Sequence, residues 1–206
     1  MVNRRLAFLT FVAGLALQRL FELRLSQRNE RWMRQHGGRE HAPETYHRIV
    51  ALHGAWFASM LVEVFAGRRE FRPRLAALAL GVFAAGQALR LTAIRTLGRR
   101  WSTRIMTVPG PAGTRVRHGI YRYFRHPNYV GVQLEIVAAP LVHSAYLTSI
   151  AFGAANLVLL RDRIRREEQA LEAGHALSRP IGSGGRPVRT GLQQARPAGE
   201  RSVFRR

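Results

Sequence analysis

Residues 119–135 read Gly-Ile-Tyr-Arg-Tyr-Phe-Arg-His-Pro-Asn-Tyr-Val-Gly-Val-Gln-Leu-Glu. A polar loop turns here into a long apolar run, and Arg125 and His126 stand directly before Pro127. Proline opens a helix at little cost, because the first turn of a helix leaves its amides unbonded anyway. The amides of Asn128, Tyr129 and Val130 are then expected as free donors at a helix N-terminus, a favourable place for a carboxylate or phosphate. A plain interfacial anchor, with Arg and Tyr marking the lipid headgroup level, explains the same residues. The stretch alone leaves both readings open.

Outward from Pro127 the chain is built of apolar blocks separated by arginine. The blocks are Leu6 to about Leu20, Ile49–Ala66, Leu75 to about Leu97, and Tyr129–Leu160. The last is too long for one span of roughly 20 residues. It breaks at Ala139-Pro140-Leu141-Val142-His143-Ser144-Ala145, so we read two short helices, about 129–142 and 145–160, in a tight hairpin. The expected fold is an all-α integral membrane protein with about five transmembrane helices. Residues 1–173 form the membrane domain. The Gly-, Pro-, Ser- and Arg-rich segment 174–206 is expected as a disordered, solvated tail.

The 33 cationic side chains are all arginine, against 12 acidic ones, for a net charge of +21. Such a balance points to nucleic acid or to an anionic membrane surface. Because the arginines fill the gaps between long apolar blocks, the membrane reading is favoured and no specific nucleic-acid partner is expected. Five spans put 24 of the loop and tail arginines on one face and six on the other. The positive-inside rule then makes the C-terminus cytoplasmic and leaves the N-terminus outside. The loop 98–128 and the charged run after Leu160 share that cytoplasmic face, so they can build one pocket. The lysine-free composition fits a GC-rich bacterial genome, hence a bacterial plasma membrane. No cleavable signal peptide follows Arg4 and Arg5; the first block reads as a helix that stays in place. The absence of Cys excludes disulfides, thiol nucleophiles and thiolate metal sites.

Within the loop, Arg104–Val108 is a strand candidate, Pro109–Gly113 a turn, and Thr114–Val116 a possible return strand. Arg161–Ala173 is a charged helix on which Arg163 and Glu167 share a face, as a bare surface pair would also do.

Together the two stretches resemble a known pattern. Gly119-x-Tyr121-x-x-x-Arg125-His126-Pro127-x-Tyr129-x-Gly131, followed by Arg163-Ile164-x-x-Glu167-Glu168-x-x-Leu171, is similar to the isoprenylcysteine carboxyl methyltransferase family. Leu97-Gly98-Arg99-Arg100-Trp101 and Val108-Pro109-Gly110 resemble a bacterial branch of it, and the likeness covers about residues 75–172. The resemblance implies an integral-membrane methyltransferase that uses S-adenosylmethionine. It implies that Tyr121, His126, Pro127, Asn128 and Tyr129 line the cofactor pocket, and that Gly113, Thr114, Arg115 and Val116 approach the cofactor through their backbone. Glu167 would contact the cofactor, and Arg163 would face the methyl acceptor. The chemistry agrees: the cofactor's ammonium and sulfonium suit Glu167 and aromatic faces such as Tyr121 and Tyr129. After Leu171 the family continues with Phe-Gly and spaced tyrosines, whereas this chain reads Glu172-Ala173-Gly174-His175.

The implied acceptor is lipidic and enters from the bilayer. Two kinds stand: a hydroxyl of an alkylpyrone or alkylresorcinol, and an isoprenylcysteine-like carboxylate. A carboxylate needs no base, while a phenol, with a pKa of about 10, benefits from Arg163 beside its anion. A non-enzymatic transporter or scaffold explains the apolar blocks and basic loops equally well, and a phospholipid N-methyltransferase is a second enzymatic alternative. His36, His41 and His47 have irregular spacing, and no metal site is expected. His53, Glu63 and Glu135 are ionisable groups inside apolar blocks, functional candidates by default. For Glu135 the two readings are a pocket floor and a structural bond to Gln87 or Arg90.

Overall fold

A computed structural model describes residues 2–110 and 115–177. Five helices carry the chain: α1 (Val2–Gln35), α2 (Glu44–Phe65), α3 (Pro73–Leu97), α4 (Pro127–Leu141) and α5 (Tyr146–Leu177). Two short strands, β1 (Arg39–His41) and β2 (Ile105–Thr107), join them. The expected disordered tail lies outside the described residues from 178 onward, and α5 itself continues to Leu177, past the boundary expected at 173.

The first helix departs most from its expected bounds. Its 34 residues make a rod of about 51 Å, against a hydrocarbon core of ~30 Å. Nothing between Leu20 and Gln35 is Gly or Pro, so the helix runs on past its apolar part. It stops at Gly37, whose φ of 78° only glycine adopts freely, and the Gly38 amide closes the end on the Met33 carbonyl at 2.8 Å.

α1, α2 and α3 are each long and apolar enough to cross a membrane. α4 has 15 residues, about 22 Å, and pairs with the first half of α5 in the expected hairpin. The turn closes where the Ala145 amide bonds the Pro140 carbonyl at 3.0 Å and Ser144 takes a φ of 58°. The hairpin tip reaches the far end of the bundle: His143 lies between the rings of Phe8 and Phe71, at 5.4 and 5.7 Å, and Arg4 stacks over Phe71. Glu63 accepts the amides of Leu147 and Thr148 at 3.1 and 2.7 Å and so caps the first turn of α5. That accounts for one ionisable group in an apolar block without a catalytic role.

At the opposite end β1 pairs antiparallel with β2, Arg39 opposite Thr107 and His41 opposite Ile105. The expected return strand at 114–116 is corrected: Arg115 and Val116 lie outside any strand. The extension of α1 delivers residues 39–41 beside 105–107, and His41 Nε2 meets Thr107 Oγ1 at 2.7 Å.

Phe8, Val12, Leu15, Trp56, Met60, Ile136 and Ala139 form the apolar core. α3 and α4 approach through glycine: a Cβ on Gly131 would run into the Arg90 side chain and lie 2.6 Å from the Gly86 carbonyl oxygen. Leu17, Leu20, Phe21, Val62, Leu78, Ile150 and Val158 are exposed around the outside. Such an apolar belt is unfavourable in water and matched in hydrocarbon.

Buried among α1, α3 and α4 is a neutral quartet of charges. Arg90 donates to Glu22 at 2.5 Å and to Glu135 at 2.9 Å. Arg19 donates to Glu22 at 2.7 Å and also binds Glu135. Gln18 and Gln87 extend the network at 2.8 Å. Of the two readings of Glu135, the bond to Arg90 is the one realised.

Candidate functional site

The site is assembled from three pieces that the fold brings to one end: the loop 98–126, the first turn of α4 and the C-terminal half of α5. The loop is pinned by the extension of α1. Ser26 Oγ accepts the Thr103 amide at 2.8 Å, Asn29 Nδ2 donates to the Trp101 carbonyl at 2.8 Å, and Ser102 Oγ donates to Glu30 at 2.8 Å. Arg104 then turns back to Glu40 at 2.5 Å and stacks over Tyr46 at 4.0 Å. Arg104 and Arg34 hold the Glu40 carboxyl below its usual range, although burial works against them.

The two distant sequence motifs meet at Tyr129. Its hydroxyl donates to Glu167 and accepts from Arg163 Nε at 2.9 Å. Arg163 and Glu167 therefore meet through a phenol from another helix, where a simple surface pair would have joined them directly. Arg163 also donates through Nη2 to the Thr103 carbonyl at 2.6 Å, and its Nη1 is buried with no partner among the described residues. The His126 ring stacks on Tyr129 at 5.6 Å with an interplanar angle of 16°. Beyond it Glu168 collects His126 at 3.3 Å, Arg115 at 3.2 Å and Arg125 at 3.8 Å. The hydrogen bonds from His126 and Arg115 hold the Glu168 carboxyl below its ordinary value. Burial, with Glu167 nearby, pushes the Tyr121 phenol above its ordinary value, so it is a neutral donor.

These groups wall two adjoining clefts of about 90 and 120 Å³, the first of mixed polarity and the second more apolar. Tyr121, His126, Glu167, Arg100, Met106, Thr107 and Leu171 face both. Asn128, Tyr129 and Trp101 face the first, and Arg115, Val116 and Arg125 the second. Trp101 Nε1 and Asn128 Oδ1 are buried, a donor and an acceptor with no partner among the described residues. Pro127 is buried as the first residue of α4. Gly113 and Thr114 lie outside the described residues. The expectation of three free amides after Pro127 is corrected for two of them, since the Tyr129 and Val130 amides both bond the His126 carbonyl, at 3.1 and 3.2 Å. Arg115 and Arg125 are the cations nearest this helix start, both paired with Glu168.

On the other side of Tyr129 lies a different kind of space. A cavity of about 390 Å³ runs between α1 and α2, walled by apolar side chains such as Leu20, Leu23, Ile49, Val50, Phe57 and Leu160. Its inner end is Asn128, Tyr129 and Arg163, and His53, Arg19 and Arg90 stand along its wall. Sequence reasoning did not find this cavity or the part played by Trp101, Ser26 and Asn29. The one available signal was the run Ser26–Glu30, polar residues on a helix with no breaker after its apolar part.

Comparison with known proteins fits this geometry. Residues 78–173 match the model of the isoprenylcysteine carboxyl methyltransferase (ICMT) family. The Bacillus subtilis (strain 168) protein YpbQ, itself uncharacterized, is 35% identical over 168 residues, 80% of this chain and 96% of that one. A protein-S-isoprenylcysteine O-methyltransferase of Tribolium castaneum is 31% identical over 107 residues, 52% of this chain and 38% of that enzyme. Among solved structures, the eukaryotic intramembrane Ras methyltransferase ICMT matches with a TM-score of 0.50 at 24% identity, over 61% of this chain and 46% of that one. The chain thus spans less than half the length of the named methyltransferases it matches, and nearly all of YpbQ.

Proposed function

We propose, from a chain that belongs to the isoprenylcysteine carboxyl methyltransferase family, a membrane enzyme that methylates an oxygen of a lipidic acceptor with S-adenosylmethionine. One observation carries the reading: Tyr129 and Asn128, with Trp101 and Ser102, line both a polar cleft and an apolar cavity and so stand between them. A water-soluble donor on one side and a bilayer-soluble acceptor on the other would meet there and nowhere else.

The cleft's residues fit the donor. Glu167 and the faces of Tyr121 and His126 suit its positive groups, Arg115 and Arg125 its carboxylate, and Trp101 Nε1 and Asn128 Oδ1 lack partners that a nucleoside supplies. When bound, the donor supplies a methyl on an activated sulfonium, so the protein's work is alignment and exclusion of water. Tyr129 fixes Glu167 and Arg163 relative to one another across that boundary. Arg163, with its buried unpartnered Nη1, faces the cavity as the positive group for an acceptor oxyanion. The acceptor oxygen would take the methyl and the donor would be left as a neutral thioether; a hydroxyl acceptor would give up its proton to water, and Arg163 would hold the resulting oxyanion.

A bilayer orientation is part of the same proposal, and the arginine distribution supports it. The end of α1 from Arg24, the 36–43 connection, the 98–126 loop and the end of α5 hold 16 of the 26 arginines among the described residues and lie at one end, which on this reading faces the cytoplasmic leaflet of a bacterial plasma membrane.

The test uses the full chain in detergent. S-adenosylhomocysteine binds the wild type by calorimetry, and His126→Ala and Glu167→Ala each weaken that binding about tenfold or more, the loss of one charge-assisted contact. Tritiated methyl from the donor is then followed into extracted lipids. Binding that ignores both substitutions refutes the site, and label on a phospholipid nitrogen moves the reading to headgroup N-methylation.

A further inference from the structure

A groove of about 680 Å³ runs along the extension of α1, outside the clefts and the apolar cavity. Arg24, Arg28, Arg31 and Trp32 of α1 line it, with Arg99 from the turn that follows α3. Four guanidinium groups meet there, and no carboxylate is among the lining residues. The acids of this stretch of α1 are engaged elsewhere: Glu22 binds Arg19 and Arg90, and Glu30 takes the hydroxyls of Ser26 and Ser102. Like charges three and four apart on a helix repel one another. The row is therefore unfavourable by itself and favourable around an anion.

The groove has a fixed floor. Asn29 is buried and donates to the Gly98 and Trp101 carbonyls at 3.2 and 2.8 Å, which clamps the turn bearing Arg99 against α1. The Trp32 ring is stacked on His36 at 4.2 Å, and the Arg99 guanidinium lies 5.8 Å from its centroid.

The row also continues a lipid-facing one. Leu17, Phe21, Arg24, Arg28, Arg31 and Gln35 recur at alternating steps of four and three, which is one face of a helix. Leu17 and Phe21 are exposed members of the apolar belt. The face passes from hydrocarbon to cations without turning. Along the axis Arg24 stands about 4.5 Å beyond Phe21, and Arg28 about 10 Å beyond it. The polar layer of one leaflet is roughly 5–8 Å deep, so the two arginines bracket the level of lipid phosphates. A soluble anion has no use for the apolar half of this face; a phospholipid uses both halves.

We propose that this groove binds the head group of an anionic phospholipid, its phosphate held by the arginines and its acyl chains lying along Leu17 and Phe21, and that the bound lipid braces the donor cleft. Arginine takes phosphate through a two-pronged contact, so a phosphate shared between α1 and Arg99 ties the 98–101 segment to α1 beside the Asn29 clamp. Trp101, at the end of that segment, walls the cleft. The lipid site stands apart from the methyl-transfer reading; only its link to donor affinity rests on it.

The experiment puts the full chain in nanodiscs of equal parts phosphatidylglycerol and phosphatidylcholine and counts the lipids retained after extraction by native mass spectrometry. The wild type should retain phosphatidylglycerol in preference by about thirtyfold, about fivefold for each of two arginines engaged. The double variant Arg24→Gln, Arg28→Gln should fall to within about threefold, and Arg99→Gln should fall part of the way. Both keep the helix-forming tendency or the turn and remove only exposed charge. A control that removes two exposed arginines at the opposite end, Arg72→Gln with Arg74→Gln, should keep the preference. S-adenosylhomocysteine should bind the wild type about fivefold tighter with phosphatidylglycerol than in phosphatidylcholine alone, an ordinary coupling between two sites, and the double variant should bind it equally in both. A wild type without the preference, a double variant that retains it, or a control that loses it as fully overturns the lipid site. Displacement of the lipid by excess inorganic phosphate or by a short RNA overturns it too, since a soluble anion would then be the occupant. Preference with donor affinity indifferent to the lipid overturns the bracing. Preference with no S-adenosylhomocysteine bound in either lipid keeps the lipid site and refutes the donor cleft.

Discussion

Tyr129→Phe removes one oxygen atom and nothing else from the place where the two motifs meet. That oxygen holds two charged partners, Glu167 as acceptor and Arg163 Nε as donor. A hydrogen bond to a charged group contributes about 1.5–3 kcal/mol, so two lost bonds set a ceiling of ~3–6 kcal/mol. Two effects reduce it. Water reaches Glu167 from the cleft side, and Arg163 and Glu167, four residues apart on α5, can pair directly once the phenol is gone, for about 0.3–0.5 kcal/mol. The net expectation is ~1.5–3 kcal/mol, or roughly 10–100-fold in kcat/KM. The loss should fall mainly on kcat, because the ring and its stack with His126 stay in place and the partition between cleft and cavity stays shut. Methyl-transfer kinetics in detergent, with S-adenosylhomocysteine affinity measured alongside, separate the two quantities. Wild-type kcat in Tyr129→Phe would refute the argument that this hydroxyl aligns the two sides.

Two further outcomes follow from the buried charges. Glu135→Gln leaves Arg19 and Arg90 facing a single carboxylate, Glu22, so it should destabilise the bundle by about 3–5 kcal/mol, the cost of breaking a buried ion pair; resistance to unfolding by sodium dodecyl sulfate measures it, and an unchanged midpoint would mean that the quartet is not closed in the bilayer. Glu168 has a carboxyl held below its ordinary value, so the contact with His126 and Arg115 is fully present above the ordinary carboxylate range and is lost as pH falls through the depressed value. S-adenosylhomocysteine affinity should accordingly hold from neutral pH down to about pH 5 and fall below it in the wild type, with a smaller fall in Glu168→Gln.

Much of this arrangement was legible in the residues. Pro73 and Pro127 open helices, Gly37 and Gly98 close them, and the Pro140–Ala145 break makes the hairpin. The two polar motifs flank that hairpin, so their meeting followed from it. What stayed hidden depended on partners far away in sequence. The first block was read only to about Leu20; the charges of Arg19 and Glu22 belong to the core through counter-charges on Glu135 and Arg90, 116 and 68 residues distant, which no local pattern shows. The strand at 105–107 was visible, but its partner, three residues long and polar, carries no alternation to identify it. Of the three free amides expected after Pro127, those of Tyr129 and Val130 are taken by the His126 carbonyl, a partner that helix geometry alone does not reveal.

The helix that begins the chain has a further bearing on where the protein's working unit starts. The stretch shared with the family model begins at residue 78, yet Ser26, Asn29 and Glu30 hold down the segment that forms one bank of the polar cleft. A fragment trimmed to the shared stretch would keep both signature motifs and lose the beam on which one bank rests. Exchanging first helices between relatives should therefore alter donor affinity even though no residue of that helix carries a signature.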